Sequence, residues 1–502
     1  MRIIRAISFF IVLCMVIGIF ASCGKGGDVE SKAAESKAES SEAEETSETS
    51  VESSEGQKDP LAHIPNQSLG ITVTFLVENQ NGGGYGSREI MPYEDTAISP
   101  YVEERNNMVE EKLGITIKEI RTDNMANDLR AAALSTADFD IAIPYMTTAG
   151  PLIQEGLFYD LYEFSHIINF NASYWDQNAE NSLSMGNKLY MTTGDFSILT
   201  MDVTHCMLFN RTIIASNNLE NPYELVNSGN WTMDKMLSMA KEVTADTDGV
   251  PGITYDDTVG LFINRNYSNS LFIGSGESFA KKNAEGVPEL TVYNTNSVGV
   301  VDKIFEIFSD SKILVDEVFN DDAIAAGYTN CYWAARHALG TNRALFVTIS
   351  LSDILNMSDY TDTCDFGLLV TPKYTVEQDN YYSYISIIFA TGCVIPVSNE
   401  DPETAALVLE ALAAASTSTV KVNYYERVLK LQKIQDEESE KMLDFIFDNR
   451  VYDIGALYNW NTLRDFVSSC VIGTSNTFTS NYDSQKNIFI EAMQTTIDYF
   501  SE

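Results

Sequence analysis

The side chains most often used in catalysis are present in this sequence, but they form no catalytic spacing. The four histidines, His63, His166, His205 and His337, stand far apart, and the sequence has no G-x-S-x-G, H-E-x-x-H or P-loop motif. Two carboxylates suffice for a glycosidase, but 72 acidic residues make any such pair uninformative. We predict a protein that is not an enzyme and needs no cofactor, with a glycoside hydrolase as the alternative.

The aromatic residues suit a different chemistry, which is the binding of ring-shaped solutes. The chain has 25 tyrosines, 25 phenylalanines and 4 tryptophans. Aromatic rings pack on the apolar C–H faces of a sugar, while carboxylates, amides and arginine bond its hydroxyl edges. Trp231 directly precedes a helix cap and is predicted to be structural. Trp175 is predicted to pack against a helix, with ligand contact as the alternative.

The cysteines do not indicate a metal site. The five that follow residue 60 are odd in number, include no C-x-x-C pair and have no zinc-ligand spacing. A disulfide between two of them stays open, but buried free thiols are the preferred interpretation. The residues are Cys206, Cys331, Cys364, Cys393 and Cys470.

The composition of the first sixty residues predicts an export signal followed by a flexible tether. Residues 1–5 are basic, and the apolar run from Ile7 to Phe20 is shorter than a membrane-spanning helix. From Gly24 to Gln57 the chain has no aromatic residue and only two valines, so it cannot bury enough apolar area to fold. We predict a disordered, charged and therefore extended spacer.

Most of the negative charge belongs to the part of the chain predicted to fold. The whole sequence has a net charge of −40; residues 28–59 contribute −8 and residues 1–27 contribute +3, which leaves −35 for the rest. Such a surface repels nucleic acid and anionic lipid. We predict no nucleic-acid partner and, because basic residues are few, a neutral solute.

Strands and helices alternate after residue 70. The pattern predicts strands over 71–77, 115–120 and 139–143, with helices over 100–113 and 127–134 between them. This order is typical of a mostly parallel sheet, whose ligands bind beyond the carboxyl ends of its strands. Later helices are predicted over 234–240, 298–308, 404–415 and 420–447, and later strands over 206–209, 344–349, 366–370, 385–389 and 393–396.

Short motifs follow one another in order over most of residues 68–500. They are Phe139-Asp-Ile, Gly156-Leu-Phe-Tyr-Asp-Leu, Asn187-Lys-Leu-Tyr, Leu208-Phe-Asn-Arg, Asn230-Trp-Thr-Met-Asp, Phe366-Gly-Leu-Leu-Val-Thr-Pro-Lys and Ala390-Thr-Gly-Cys-Val-Ile-Pro with Asp401-Pro-Glu-Thr-Ala-Ala. This series resembles the extracellular solute-binding proteins of ABC importers, specifically the carbohydrate-type group that includes maltose-binding protein. Phe20-Ala21-Ser22-Cys23 in turn resembles the lipobox of bacterial lipoproteins, with Phe20 in place of the usual Leu.

The resemblance implies an α/β, two-lobed periplasmic-binding-protein-like fold of type II, with a ligand cleft between lobes joined by crossing strands. The crossings are expected near 191–206, 366–374 and 446–456. The expected regions are a lipoprotein signal peptide (1–22), the lipidated Cys23 with its tether (23–60), lobe 1 (61–195 and 369–450) and lobe 2 (196–368 and 451–502).

The resemblance also implies a function and its partners. It predicts capture of an extracellular mono- or oligosaccharide by hinge closure, delivery to ABC permease subunits, and a monomer anchored by lipid on the outer face of the cell membrane. A sensory or adhesion lipoprotein of the same fold, or a receptor for a non-sugar solute, remains open.

Six residues are predicted to bind the ligand. Tyr145 follows the third predicted strand; Asp195 and Asp202 lie in the first crossing, with solvated turn carboxylates as the alternative. Arg265 is a polar donor or one half of a surface ion pair. Trp333 and Trp460 complete the set.

One acidic loop resembles the calcium loop of some members of the group. Asp246-Thr-Asp-Gly249 is followed by Asp256-Asp257, but Thr244 occupies the first ligand position. We therefore predict a polar turn with no metal, and calcium is the alternative.

Overall fold

The computed structural model describes residues 59–79, 88–92, 97–431 and 437–501. The predicted signal peptide, Cys23 and nearly all of the tether lie outside these residues. Residues Lys58–Glu502 form one unit. Its strands are β1 (Thr72–Glu78), β2 (Thr116–Thr122), β3 (Ile141–Ile143), β4 (His205–Asn210), β5 (Val259–Ile263), β6 (Ala280–Lys282), β7 (Pro288–Leu290), β8 (Leu314–Val315), β9 (Ala344–Ser350), β10 (Phe366–Leu369), β11 (Ser383–Tyr384) and β12 (Arg450–Val451).

Helices connect most of these strands. They are α1 (Ser99–Leu113), α2 (Met125–Ala132), α3 (Met146–Gln154), α4 (Gln177–Leu183), α5 (Ile198–Asp202), α6 (Arg211–Ser216), α7 (Pro222–Asn227), α8 (Met233–Val243), α9 (Tyr267–Gly274), α10 (Thr295–Ser309), α11 (Asp316–Ala325), α12 (Cys331–Gly340), α13 (Leu351–Leu355), α14 (Pro402–Ser416), α15 (Val422–Leu431), α16 (Glu437–Asp448), α17 (Ile454–Tyr458), α18 (Phe466–Val471) and α19 (Phe478–Ser501). Residues 161–164, 358–360 and 460–465 are 3₁₀ turns, and Thr417–Lys421 is a π-helical turn.

The first sheet has the predicted parallel arrangement. Its order is β2-β1-β3, and both pairings are parallel, with Phe75 of β1 opposite Ile141 of β3. The helix α1 joins β1 to β2 and ends at Gly114, where the positive φ of 66° suits a residue without a side chain. The predicted β-α-β-α-β order is therefore confirmed.

The second sheet is mixed and has five strands in the order β10-β4-β9-β5-β8. The strand β4 runs antiparallel to both of its neighbours, whereas β5 is parallel to β8 and to β9. The carboxyl ends of β5, β8 and β9 therefore share one edge of the sheet with the amino end of β4. Trp231 packs beneath this sheet, fully buried against Phe346, and its indole donates to the carbonyl of Val370, which confirms a structural role.

Chain segments that pass between the two sheets pair with one another. Thr204 bridges Ile385, and the amide of Ser386 donates to the carbonyl of Val203. The strands β11 and β12 then pair in parallel. The predicted first and third crossings contain Thr204 and β12, whereas the predicted second crossing, 366–374, begins inside the second sheet and the pairing lies at residues 383–386.

Three predicted elements differ in the structure. Residues 385–389 were expected to form a strand, but after a single bridge at Ile385 the chain turns, and the amides of Phe389 and Ala390 donate to the carbonyl of Ser386. The predicted helix over 420–447 is divided into the π turn, α15 and α16. Residues 393–396 make isolated bridges to Ala142, Phe158 and Thr192 rather than a strand.

All five cysteines after residue 60 are free and buried, as predicted.

One apolar helical segment lies in the core. Among the described helices, Pro402–Glu426 is long and apolar enough to cross a membrane by composition, but 72% of its apolar window is buried inside the protein. Such burial is typical of a core helix of a soluble domain.

Candidate ligand-binding site

A cavity of about 410 Å³ lies at the edge of the second sheet where β5, β8 and β9 end. Side chains at or just after those strand ends, including Asn264, Asp316 and Ser350, line it. The volume is in the range of small-molecule sites, and the position beyond the carboxyl ends of parallel strands is a usual one for ligands.

Segments from three distant parts of the chain meet at this cavity. Val203 and His205 come from the predicted first crossing, Tyr384 and Ser386 from the segment 383–386 that pairs between the sheets, and Arg464 follows the predicted third crossing. The first two of these segments pair with each other between the two sheets, so the cavity lies beside the connections of the fold.

His205 is the first residue of β4 and forms the centre of an aromatic cluster. Its imidazole stacks on Tyr267, with ring centroids 5.6 Å apart and planes 3° from parallel, and Tyr384 meets it edge-on at 5.5 Å. Its Nδ1 lies 2.5 Å from the hydroxyl oxygen of Ser270. Burial lowers the pKa of His205 to about 4, so the ring is neutral at physiological pH.

The opposite wall contains an ion pair. Arg336 of α12 is 5% exposed and binds the carboxylate of Asp353 in α13, and its guanidinium also lies over the ring of Trp333, 4.6 Å from the centroid. Asp353 also accepts from the amide of Ser350 and so caps α13. Both charges are thus already compensated, and the wall presents a fixed polar surface with no free cation at this position.

Apolar side chains at the mouth remain open to solvent. Tyr332 is 40% exposed and Ile388 is 37% exposed, although both belong to otherwise buried segments. Phe389 is partly exposed beside them. The described lining therefore combines apolar faces with hydroxyl, amide and charged groups, which is the chemistry that a sugar ring requires.

Four of the six predicted ligand residues lie beside the cavity rather than inside it. Tyr145 is 7% exposed and packs edge-on against Phe389, which does line the cavity. Arg265 lies between Asn264 and Asn266 and borders a depression that adjoins the cavity, and its backbone amide donates to Asp316. Trp333 lies behind Arg336, and Asp202 directly precedes Val203.

The two carboxylates of the first crossing are buried in ionic contacts. Asp202 is fully buried, binds Arg88 and accepts from the hydroxyl of Tyr424. Asp195 pairs with Lys421 at 2.9 Å, and burial raises the pKa of Asp195 against the effect of that lysine. Solvated turn carboxylates were the alternative prediction, but both groups are enclosed, and both hold the helix segment 417–424 against the crossing.

The remaining tryptophans are enclosed elsewhere. Trp460 is 3% exposed, stacks on Tyr458 with the ring planes 7° apart, and donates its indole N–H to Thr496. Trp175 is 1% exposed and donates to Glu410. Direct ligand contact by any of the six predicted residues stays a prediction.

The acidic loop has the geometry of a turn. Carboxylate oxygens of Asp246, Asp248 and Asp257 lie within 4.8 Å of one another. Burial alone would raise the pKa of Asp257, but the amides of Thr247, Asp248 and Thr254 donate to it and the net shift of its pKa is downward. The polar turn is therefore satisfied by its own backbone.

Sequence reasoning did not single out several lining residues. His205 entered the prediction only as one of four scattered histidines, and Tyr332 and Arg336 were not among the predicted ligand residues. His205 lies at the start of a strand that adjoins a crossing, and this position could have indicated a cavity residue. The position is informative only when the order of strands in the sheet is known.

The sequence matches no protein-family model and no curated protein, but solved structures share its fold. The ABC substrate-binding protein Lmo0181 from Listeria monocytogenes, solved with cycloalternan, aligns with a TM-score of 0.52 at 11% identity over 84% of this chain and 98% of its own. The GacH receptor of Streptomyces glaucescens, solved unliganded and with acarbose, aligns at 0.51 and 12% identity over 86% and 99%. The maltose-binding protein MalE of Listeria monocytogenes, solved with maltose, aligns at 0.50 and 12% identity over 86% and 98%.

The chain has the fold of these substrate-binding proteins. The predicted class, an α/β periplasmic-binding-protein-like fold of type II, is thus confirmed.

Proposed function

We propose that the protein is an extracellular receptor that binds a mono- or oligosaccharide and passes it to an ABC importer in the membrane. The observation that carries the proposal is the cavity at the end of the second sheet, where residues of three connecting segments meet. A ligand held there favours one relative position of the two sheets, and a membrane permease can recognise that position.

The composition of the cavity supports a neutral, hydroxyl-bearing ligand. Tyr332 and Ile388 provide exposed apolar faces, and Asn264, Asn266 and Asp316 provide amide and carboxylate groups for hydroxyl edges. Arg336 is compensated by Asp353, so it does not offer a free cation to an anionic solute. The solved structures that share the fold were determined with cycloalternan, acarbose or maltose, which agrees with a carbohydrate ligand.

The predicted amino-terminal segment supports a location outside the cytoplasm. A lipid attached to Cys23 would hold the protein at the cell membrane, and the charged spacer up to residue 60 would let the folded part search for its permease. Both the anchor and the permease are part of the proposal.

A second candidate, a glycoside hydrolase, requires a general acid and a second carboxylate on opposite sides of a scissile bond. The carboxylates among the described lining residues are Asp316, Asp353 and Asp465. Asp353 is engaged by Arg336 and by the cap of α13, which leaves it poorly suited to proton transfer. We therefore favour binding over hydrolysis, and a sensor of the same fold would share the cavity but lack the permease.

A thermal-shift screen of the purified protein tests the proposal. The panel contains glucose, maltose, maltotriose and cellobiose, together with a tripeptide, glutamate and phosphate. We expect at least one sugar to raise Tm in a concentration-dependent way, because a ligand that binds only the folded state stabilises it. Stabilisation by the peptide or an anion and by no sugar would contradict the carbohydrate assignment, and release of cleaved sugar would favour the hydrolase.

A further inference from the structure

His205 lines the cavity, but the proposed function assigns no role to it. It connects the first crossing to β4, lines the cavity, and lies within ring contact of Tyr267 from α9 and Tyr384 from β11. Three separate elements therefore fix the plane of the imidazole, so the ring is presented to the cavity in one orientation.

One ring nitrogen is already bonded and the other is not. Nδ1 lies 2.5 Å from the hydroxyl of Ser270, whereas no residue in the described part of the chain makes a hydrogen bond to Nε2. The Ser270 hydroxyl can donate or accept. Nε2 can therefore act as an acceptor in one tautomer and as a donor in the other, without movement of the ring.

The surroundings keep the ring uncharged. The groups packed on it are the phenols of Tyr267 and Tyr384, and burial raises the pKa of both, so neither carries charge. The pKa of the imidazole is lowered to about 4 by burial alone. The charged groups in the cavity lining are the Arg336–Asp353 pair, Asp316, Arg464 and Asp465.

We propose that His205 is a specificity-determining residue of this cavity, whose neutral imidazole offers Nε2 to a hydroxyl group of the bound solute. The proposal rests on the proposed function, since it assigns one hydrogen bond within the same site. A hydroxyl can both donate and accept, and so it is matched by either tautomer. An apolar group in the same place would leave Nε2 without a partner, so this nitrogen favours a hydroxyl-bearing solute over an apolar one.

Calorimetry on the full chain with the sugars named above tests the assignment. His205→Phe keeps an aromatic ring for Tyr267 but removes Nε2, and we expect it to weaken sugar binding by about 10-fold or more, because a buried ligand hydroxyl is left without its partner. His205→Gln, which restores a donor and an acceptor, is expected to recover part of the loss. His337→Phe is the matched control: this ring packs between Tyr328 and Tyr360 outside the described lining and should leave binding unchanged.

The outcomes separate the two proposals. If the wild-type protein binds none of the sugars, the proposed function fails and the role of His205 with it. If the wild type binds a sugar and His205→Phe binds it equally well, only the role of His205 is overturned.

A spectroscopic readout on the wild type covers the case in which the variants fold poorly. In ¹⁵N-histidine spectra, we expect the His205 resonances to show a neutral ring from pH 8 to pH 5, and the Nε2 signal to shift when the sugar is added. A ring that titrates near pH 6.5, or an Nε2 signal that does not shift when the sugar is added, would overturn the proposal.

Discussion

At the scale of single residues, helix geometry decides which side chains reach the ligand. In α12, Cys331, Tyr332, Ala335 and Arg336 line the cavity, whereas Trp333 does not belong to the described lining. Successive helical residues point about 100° apart, so Trp333 is rotated away from the face that Tyr332 and Arg336 share. The sequence located the correct turn of the helix but could not identify this face.

The same limit applies to Arg265. The prediction was based on its charge, yet its neighbours Asn264 and Asn266 line the main cavity, and Arg265 borders the adjoining depression. The backbone conformation of one turn decides which of these three consecutive residues faces a ligand. That conformation cannot be predicted from composition or residue spacing.

The buried pair Arg336–Asp353 leads to a prediction about stability. We expect Arg336→Met to lower the free energy of unfolding by about 2 kcal/mol, since it removes the charged partner of the partly buried Asp353 and the contact over Trp333. The same variant should weaken ligand binding, because the wall of the cavity loses its fixed geometry. Urea unfolding followed by far-UV circular dichroism measures the first effect.

Arg130→Met is the matched control for this prediction. Arg130 also pairs with a carboxylate, Glu155, at 2.7 Å, but both side chains are exposed and the pair is screened by solvent. We expect little change in the unfolding midpoint. Equal destabilisation by the two variants would show that burial does not determine the effect.

At the scale of elements, local patterns gave the regular parts of the fold and missed the irregular ones. The three strands of the first sheet, the strands β4, β9 and β10 of the second, and the helices α1, α8, α10 and α14 were predicted from apolar spacing and caps, whereas β5 and β8 were not predicted. The turn at 385–389 was mistaken for a strand because Ile, Ile and Phe favour strands, whereas the bonds to the Ser386 carbonyl bend the chain. That bend brings Ile388 and Phe389 to the cavity.

The cap of α8 provides a test at this scale. The helix cap predicted directly after Trp231 is Thr232, and in the structure its hydroxyl accepts from the amide of Lys235. We expect Thr232→Ala to cost about 1 kcal/mol of unfolding free energy, because the amide loses its partner. Asn124→Ala is the control, since Asn124 occupies the N-cap of α2 without a side-chain bond to the helix. If both variants destabilise the protein equally, the hydroxyl bond at Thr232 is not what stabilises α8.

At the scale of the whole molecule, the motif order predicted the fold, while the arrangement of the cavity required the structure. Seven short motifs in sequence order indicated the binding-protein fold, and the comparison with solved structures agrees. The cavity joins residues as distant in sequence as His205, Tyr384 and Arg464, and no local pattern connects positions so far apart. Only the topology of the second sheet and its crossings brings them together.

Because the net charge is −40, we expect the salt concentration to change the stability of the fold but not its affinity for a neutral ligand. Like charges on the surface repel one another, and salt screens this repulsion with a Debye length of about 10 Å at 0.1 M. We expect Tm to rise when sodium chloride is increased from about 0.02 M to about 0.5 M. Chloride is preferred to sulfate, because sulfate also strengthens apolar burial and would obscure the electrostatic effect.

The affinity for the sugar should respond differently over the same range of salt. A neutral solute gains no Coulomb energy from the acidic surface, and the ion pair between Arg336 and Asp353 is internal to the protein, so we expect Kd to change by less than about twofold. Calorimetric titrations at the two salt concentrations measure this. A Kd that increases steeply with salt would indicate a cationic ligand attracted by the acidic residues, and a Kd that decreases would indicate an anionic one whose repulsion is screened. Either result would contradict the neutral-solute assignment and would leave the two-sheet binding fold unaffected.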